Sequence, residues 1–159
     1  VPLKGRYDGV PPISPDPAMA IKQTGKGTVV YFAGDFGNTV ASFRLPEFLR
    51  IAANAARRMA PMPVEVTGVP ASVELVWRSQ QQGRRKLLHL VNFTGEMTRP
   101  ITHVLPVRNA IITLPAGDSF SKAHTLVEPR ALSLGKDDKG RLRVTVPSIN
   151  EYEVVVFEP

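Results

Sequence analysis

Asp35, in the stretch Gly34-Asp35-Phe36-Gly37, is the acid that the sequence places best for chemistry. It follows a strand-like run and precedes a helix, the position at which α/β proteins present ligand-binding and catalytic groups. Acid/base hydrolysis of a glycoside needs a second carboxylate about 5 to 9.5 Å away. No convincing second acid is near in sequence, Glu47 being the first one downstream. Asp and Gly are also ordinary turn residues, so a structural turn stands beside a ligand contact as the reading of Asp35. The Asp-Phe-Gly triplet lacks the other parts of a kinase, namely a glycine-rich nucleotide loop and a His-Arg-Asp loop.

The remaining polar candidates are scattered. His89, His103 and His124 form no His-x-His or His-x-x-x-His pair that would present two imidazoles to one metal, so no metal and no cofactor is expected. His89 alternates with Leu87, Val91 and Phe93, which reads as a hydrogen-bonded structural histidine. Trp77, Tyr152 and Tyr7 could stack on a sugar ring, although Trp77 alternates with Val73 and Leu75 and is more simply core. Asn92-Phe93-Thr94 is an N-glycosylation sequon whose simpler role is backbone hydrogen bonding at a strand end. Nucleophile-elbow, Walker and dinucleotide motifs are absent, as is any cysteine, which removes thiolate chemistry and disulfides.

The elements that would hold these residues fall into two groups. Prolines at 2, 11, 12, 15 and 17 make residues 1–17 an extended lead. The runs 18–23 and 28–33 around a Gly-containing turn predict a hairpin. The spacing predicts one helix after Leu45. Pro46 suits its first position and Glu47 its positive end, and Pro61 and Pro63 stop it. Its apolar stripe runs through Leu45, Leu49, Ala52, Ala53 and Ala56, widened by Phe48, Ala55 and Met59, which predicts a helix packed on one face.

From Val64 onward the pattern changes to period two. About seven short runs, at 64–69, 72–81, 84–94, 103–114, 124–134, 141–146 and 151–158, predict an antiparallel β-sandwich or barrel. Pro106 and Pro129 mark their runs as edge strands or as broken in two. The expected organisation is therefore mainly β: a segment 1–61 carrying hairpin and helix, then a sandwich over 62–159. The second segment is long enough to bury a core, and the first is not.

The net charge of +6 and isoelectric point near 10.0 permit a polyanion partner. The cations are not well clustered, however: they fall at Arg57-Arg58, at Arg84-Arg85-Lys86 and in a loose group from Lys136 to Arg143, separated by apolar sequence, so a solvated surface is expected rather than a nucleic-acid site. No stretch approaches the roughly 20 apolar residues of a membrane span, and no targeting signal is visible, which favours a cytoplasmic protein. The Val1 start and proline-rich lead read as a piece trimmed from something longer.

The stretches GKGTVVYFAGDFG, IAANAARRMA, PVEVTGVPASVEL, LLHLVNFTG, PITHVLPVRNAIITL and VTVPSINEYEVVVFEP, in this order, resemble the carboxyl-terminal region of bacterial glycoside hydrolases of the β-galactosidase and α-fucosidase kind. The resemblance runs from about residue 17 to 159. It implies a (β/α)₈ catalytic barrel upstream, then an amidotransferase-like domain, called the trimerisation domain in the β-galactosidases, of which residues to about 61 are the last hairpin and helix, and finally a terminal sandwich. The family's catalytic carboxylates belong to the barrel, so the resemblance carries no catalytic residue onto this chain. It implies an accessory or assembly role against the parent enzyme or a neighbouring subunit. A carbohydrate-binding module using Trp77 or Tyr152 is the alternative.

Overall fold

A computed structural model describes residues 15–159 except Arg44, Pro61 and Arg99. Tyr7 and most of the expected extended lead lie outside the described residues. The chain divides into two compact units at Pro61 and Met62.

The first unit begins with strands β1 (Met19–Thr24) and β2 (Gly27–Phe32), an antiparallel pair joined by a two-residue loop. Gly25 occupies the first loop position with φ +60°, a conformation that costs a side-chain-bearing residue and suits hairpin turns. Two helices follow, α1 (Phe36–Phe43) and α2 (Pro46–Met59), where the sequence pattern predicts only the second. Gly37, Asn38, Thr39 and Val40 are poor helix formers, which hides α1 from propensity and periodicity. Asp35 caps it, and Phe36 packs it against Phe32 and Phe48.

An aromatic chain holds this unit together: Phe32 stacks on Phe36 at 4.1 Å between ring centroids, and Phe36 meets the edge of Phe48 at 5.9 Å. On α2 the half-buried residues are Phe48, Ala52, Ala53 and Ala55, while Leu45, Leu49, Ala56 and Met59 are exposed. The predicted packed stripe is thus only partly covered. No described residue of this unit is buried.

The second unit contains β3 (Glu65–Thr67), β4 (Val73–Gln80), β5 (Arg85–Asn92), β6 (Val107–Thr113), β7 (Lys122–Thr125), β8 (Arg130–Leu132), β9 (Gly135–Lys136), β10 (Leu142–Ile149) and β11 (Tyr152–Glu158). They form two antiparallel sheets, of order β3-β6-β10-β9 and β4-β5-β11-β7-β8, in a sandwich-like arrangement. The mainly β expectation agrees with this architecture. Pro129 breaks its run into β7 and β8, with β8 at a sheet edge. Pro106 instead lies just before β6, which is a central strand, so its run is shortened rather than moved to an edge. Its lost start, 103–105, keeps a bridge from Val104 to Gly95. A Cβ on Gly95 would stand 2.4 Å from the His103 carbonyl oxygen, so only glycine permits this approach.

The core lies between the sheets. Leu88, Leu90, Ile112, Val146, Val155 and Phe157 are fully buried within one cluster. Each such side chain contributes about 1.5–3 kcal/mol by leaving water. Period-two alternation explains the inward set on β5 and β11: Leu88, Leu90 and Asn92, with Glu153, Val155 and Phe157. The opposite parity of these central strands is apolar as well, because Leu87, Val154 and Val156 form a second small buried cluster.

The connection Asp137–Arg141 is braced by charge. The Asp137 carboxylate accepts from the Lys139 and Arg141 backbone N–H groups and from Arg141 Nε at 2.7 Å. Arg141 reaches on to Glu65 at 3.0 Å, tying β3 to the turn before β10. The Arg141 backbone N–H and guanidinium hold the Asp137 carboxyl below its usual value.

Candidate functional site

Asp35 is exposed and sits at the N-cap of α1. Its Oδ1 accepts the Asn38 backbone N–H at 3.1 Å, and its carbonyl accepts the Thr39 N–H and hydroxyl at 3.1 and 2.9 Å. A carboxylate there satisfies an orphan amide and faces the positive end of the helix dipole. The side chain has a structural task that needs an acceptor, not an acid. The readable signal was Asp followed three residues later by the amide it caps, in place of the turn chemistry suggested by Gly34 and Gly37.

Trp77 belongs to the sandwich interior. It pairs with Leu88 across the β4–β5 ladder, and its ring lies 6.1 Å from that of Phe157, centroid to centroid. It is half-buried and packs against the core cluster, which leaves little of the indole face to a ligand.

Tyr152 is the one of the three that faces solvent beside a cavity. It opens β11, is 38% exposed, and stacks its ring near that of His89 at a centroid distance of 6.0 Å. Its hydroxyl and His89 Nδ1 lie 2.5 Å apart, so each orients the other. His89 and Tyr152 share the outer face of the five-stranded sheet as diagonal neighbours, since His89 pairs with Val154 and Tyr152 with Val91. Next to them, Val127, Glu128, Asn150, Glu151, Tyr152 and Glu153 line an open cavity of about 210 Å³.

Two buried polar side chains brace the segments around it: Glu153, which the sequence does not single out, and the sequon residue Asn92. Glu153 is 2% exposed, and its carboxylate accepts from the backbone N–H groups of Leu126, Val127, Glu128 and Val154 at 2.8 to 3.2 Å. An unpaired carboxylate would cost several kcal/mol to bury. Four charge-assisted hydrogen bonds, each worth about 1.5–3 kcal/mol, offset that cost and fix the turn 126–128. Asn92 is 3% exposed, and its Nδ2 donates to the carbonyls of Leu105, Ile149 and Asn150 while Oδ1 accepts the Thr94 N–H. This is the strand-end backbone role, and it leaves the sequon amide enclosed and occupied. Asn150, held by Asn92, donates to Glu128 Oε1 across the cavity rim.

Elsewhere Glu96 accepts from Thr102 Oγ1 at 2.6 Å and lies 3.3 Å from His103 Nδ1. The Thr102 hydroxyl, then His103, lower its carboxyl below the usual range. Among the described residues no group of three or more His, Asp or Glu is placed to hold a metal ion. None of the described helices is long and apolar enough to cross a membrane.

No protein-family profile matches the chain, and no curated protein sequence matches it. Among solved structures the chain is similar to α-L-fucosidase isoenzyme 2 from Paenibacillus thiaminolyticus, with a TM-score of 0.69 and 19% identity over 89% of this chain. It is also matched to a cycloisomaltooligosaccharide glucanotransferase from Paenibacillus sp. at TM-score 0.44 and 14% identity, over 59% of this chain and 16% of that one. The chain spans 22% of the length of the fucosidase structure. The fold is therefore shared with a portion of a glycoside-hydrolase-related structure.

If Asp35 serves α1 as a cap, Asp35→Asn preserves the helix because asparagine accepts equally well, whereas Asp35→Ala lowers local stability by about 1 kcal/mol. Amide hydrogen exchange across Phe36–Phe43 in the two variants reads the difference.

Proposed function

We propose that this chain is a non-catalytic, carboxyl-terminal accessory or assembly portion of a larger glycoside-hydrolase-like protein. The observation that carries the reading is the contrast in burial between the two units. No described residue of the first is buried, while Leu45, Leu49, Ile51 and Met59 of α2 and Val29 and Tyr31 of β2 stand 41–61% exposed. Exposed apolar side chains in this number need a covering surface. In this reading the hairpin and helices are the end of an amidotransferase-like domain, and the rest of the parent enzyme or a neighbouring subunit covers them. The fold shared with part of an α-L-fucosidase supports it, as do the structural duties of Asp35 and Glu153.

Reading the coding sequence upstream of Val1 tests the proposal. An in-frame barrel domain with paired carboxylates is the expected result, and a start codon directly before Val1 contradicts it.

A second reading, a carbohydrate-binding module, is favoured by one observation: the exposed Tyr152 ring, oriented by His89, stands beside a cavity with Glu128 and Glu151 in its lining. Aromatic faces stack on sugars, and carboxylates accept sugar hydroxyls. Calorimetry against galactosides and fucosides would show binding that Tyr152→Ala abolishes; no heat across the panel removes this reading.

A further inference from the structure

A cationic cavity lies away from Tyr152, where the chain passes from the five-stranded sheet to the four-stranded one. This open cleft of about 470 Å³ is lined by residues 130–136 together with Arg143, Thr145 and Pro147. Arg130 opens β8, Lys136 closes β9, and Arg143 stands on β10 opposite Gly135. No carboxylate lines the cleft.

Among the described residues none of these three cations makes an ion pair. The neighbouring Asp137 is engaged by Arg141, as is Glu65. The hydroxyls of Ser133 and Thr145 add donors to the same wall. The strand β9 pairs only with Leu142 and Arg143, so β10 from Thr145 onward has an open edge where it lines the cleft. Three like charges around one concavity repel one another, and an anion within it relieves that repulsion while gaining charge-assisted hydrogen bonds.

We propose that this cleft binds a carboxylate or sulfate group, carried on an acidic saccharide or free in solution. The paired N–H donors of arginine match two oxygens of a planar carboxylate or of a tetrahedral sulfate alike, and the cleft has room for a sugar ring attached to the charged group. The saccharide as carrier rests on the glycoside-hydrolase reading above; the anion chemistry does not.

Titration calorimetry of the full chain with digalacturonate, its neutral methyl ester and inorganic sulfate tests the proposal. Digalacturonate binding more tightly than sulfate identifies a saccharide-borne group, and sulfate binding alone identifies a free oxyanion; both support the cleft. Arg130→Gln and Arg143→Gln should each weaken binding at least about tenfold, the lower end of the scale for one charge-assisted hydrogen bond. Lys122→Gln, an exposed cation outside the cleft, should leave binding unchanged. Four results overturn the proposal: neither anion binds, the methyl ester binds as well as the acid, the two arginine variants bind like the parent, or a single-stranded DNA oligonucleotide competes equally. None of these readouts involves upstream coding sequence or Tyr152, so failure here is distinct from failure of the assembly reading.

Discussion

Burial of apolar surface between two antiparallel sheets is the constraint on which the rest of this structure depends. Every buried side chain among the described residues falls between Val64 and Phe157. Leu88, Leu90, Ile112, Ile149 and Phe157 are wholly or almost wholly removed from water, each contributing about 1.5–3 kcal/mol. The hairpin and two helices have no comparable source. Their internal contact is an aromatic chain from Phe32 through Phe36 to Phe48, and a two-stranded hairpin is marginal by itself in water.

Polar burial supplies the sandwich's finer shape. Glu153 and Asn92 occupy inward positions on β11 and β5 where alternation calls for apolar residues, and each gathers several backbone groups. They brace the turn 126–128 and the β10–β11 connection through several backbone hydrogen bonds. Glu153 itself, and Asn150, whose carbonyl Asn92 holds, line the cavity beside Tyr152. The charged cleft has a different origin: β8 and β9 are short, belong to different sheets, and leave the edge of β10 open between them.

The β-rich half was legible because period-two runs separated by turn residues report strands directly, and Pro129 announced the break between β7 and β8. The two-residue strand β9 carries no periodicity, and α1 is written in residues that disfavour helix, so neither pattern could be read. For α2 the sequence located the helix but overstated its packing, since periodicity reports which face is apolar and not whether anything covers it. Trp77 packs half-buried against the core while Leu75 of the same alternation is exposed, and the Tyr152–His89 pair joins residues 63 positions apart and depends on strand order that no local pattern encodes. Of the cleft's cations, Lys136 and Arg143 fall in one loose group of the sequence, but Arg130 lies outside it. Only the crossing between sheets gathers Arg130, Lys136 and Arg143 into one concavity.

Native-state hydrogen exchange on the isolated chain tests the central claim, that the sandwich carries its own core and the first unit does not. The account predicts slow, globally limited exchange in β5, β6, β10 and β11, and measurable but weaker protection, lost through local opening, in β1, β2, α1 and α2. Equal protection of the two units would contradict it.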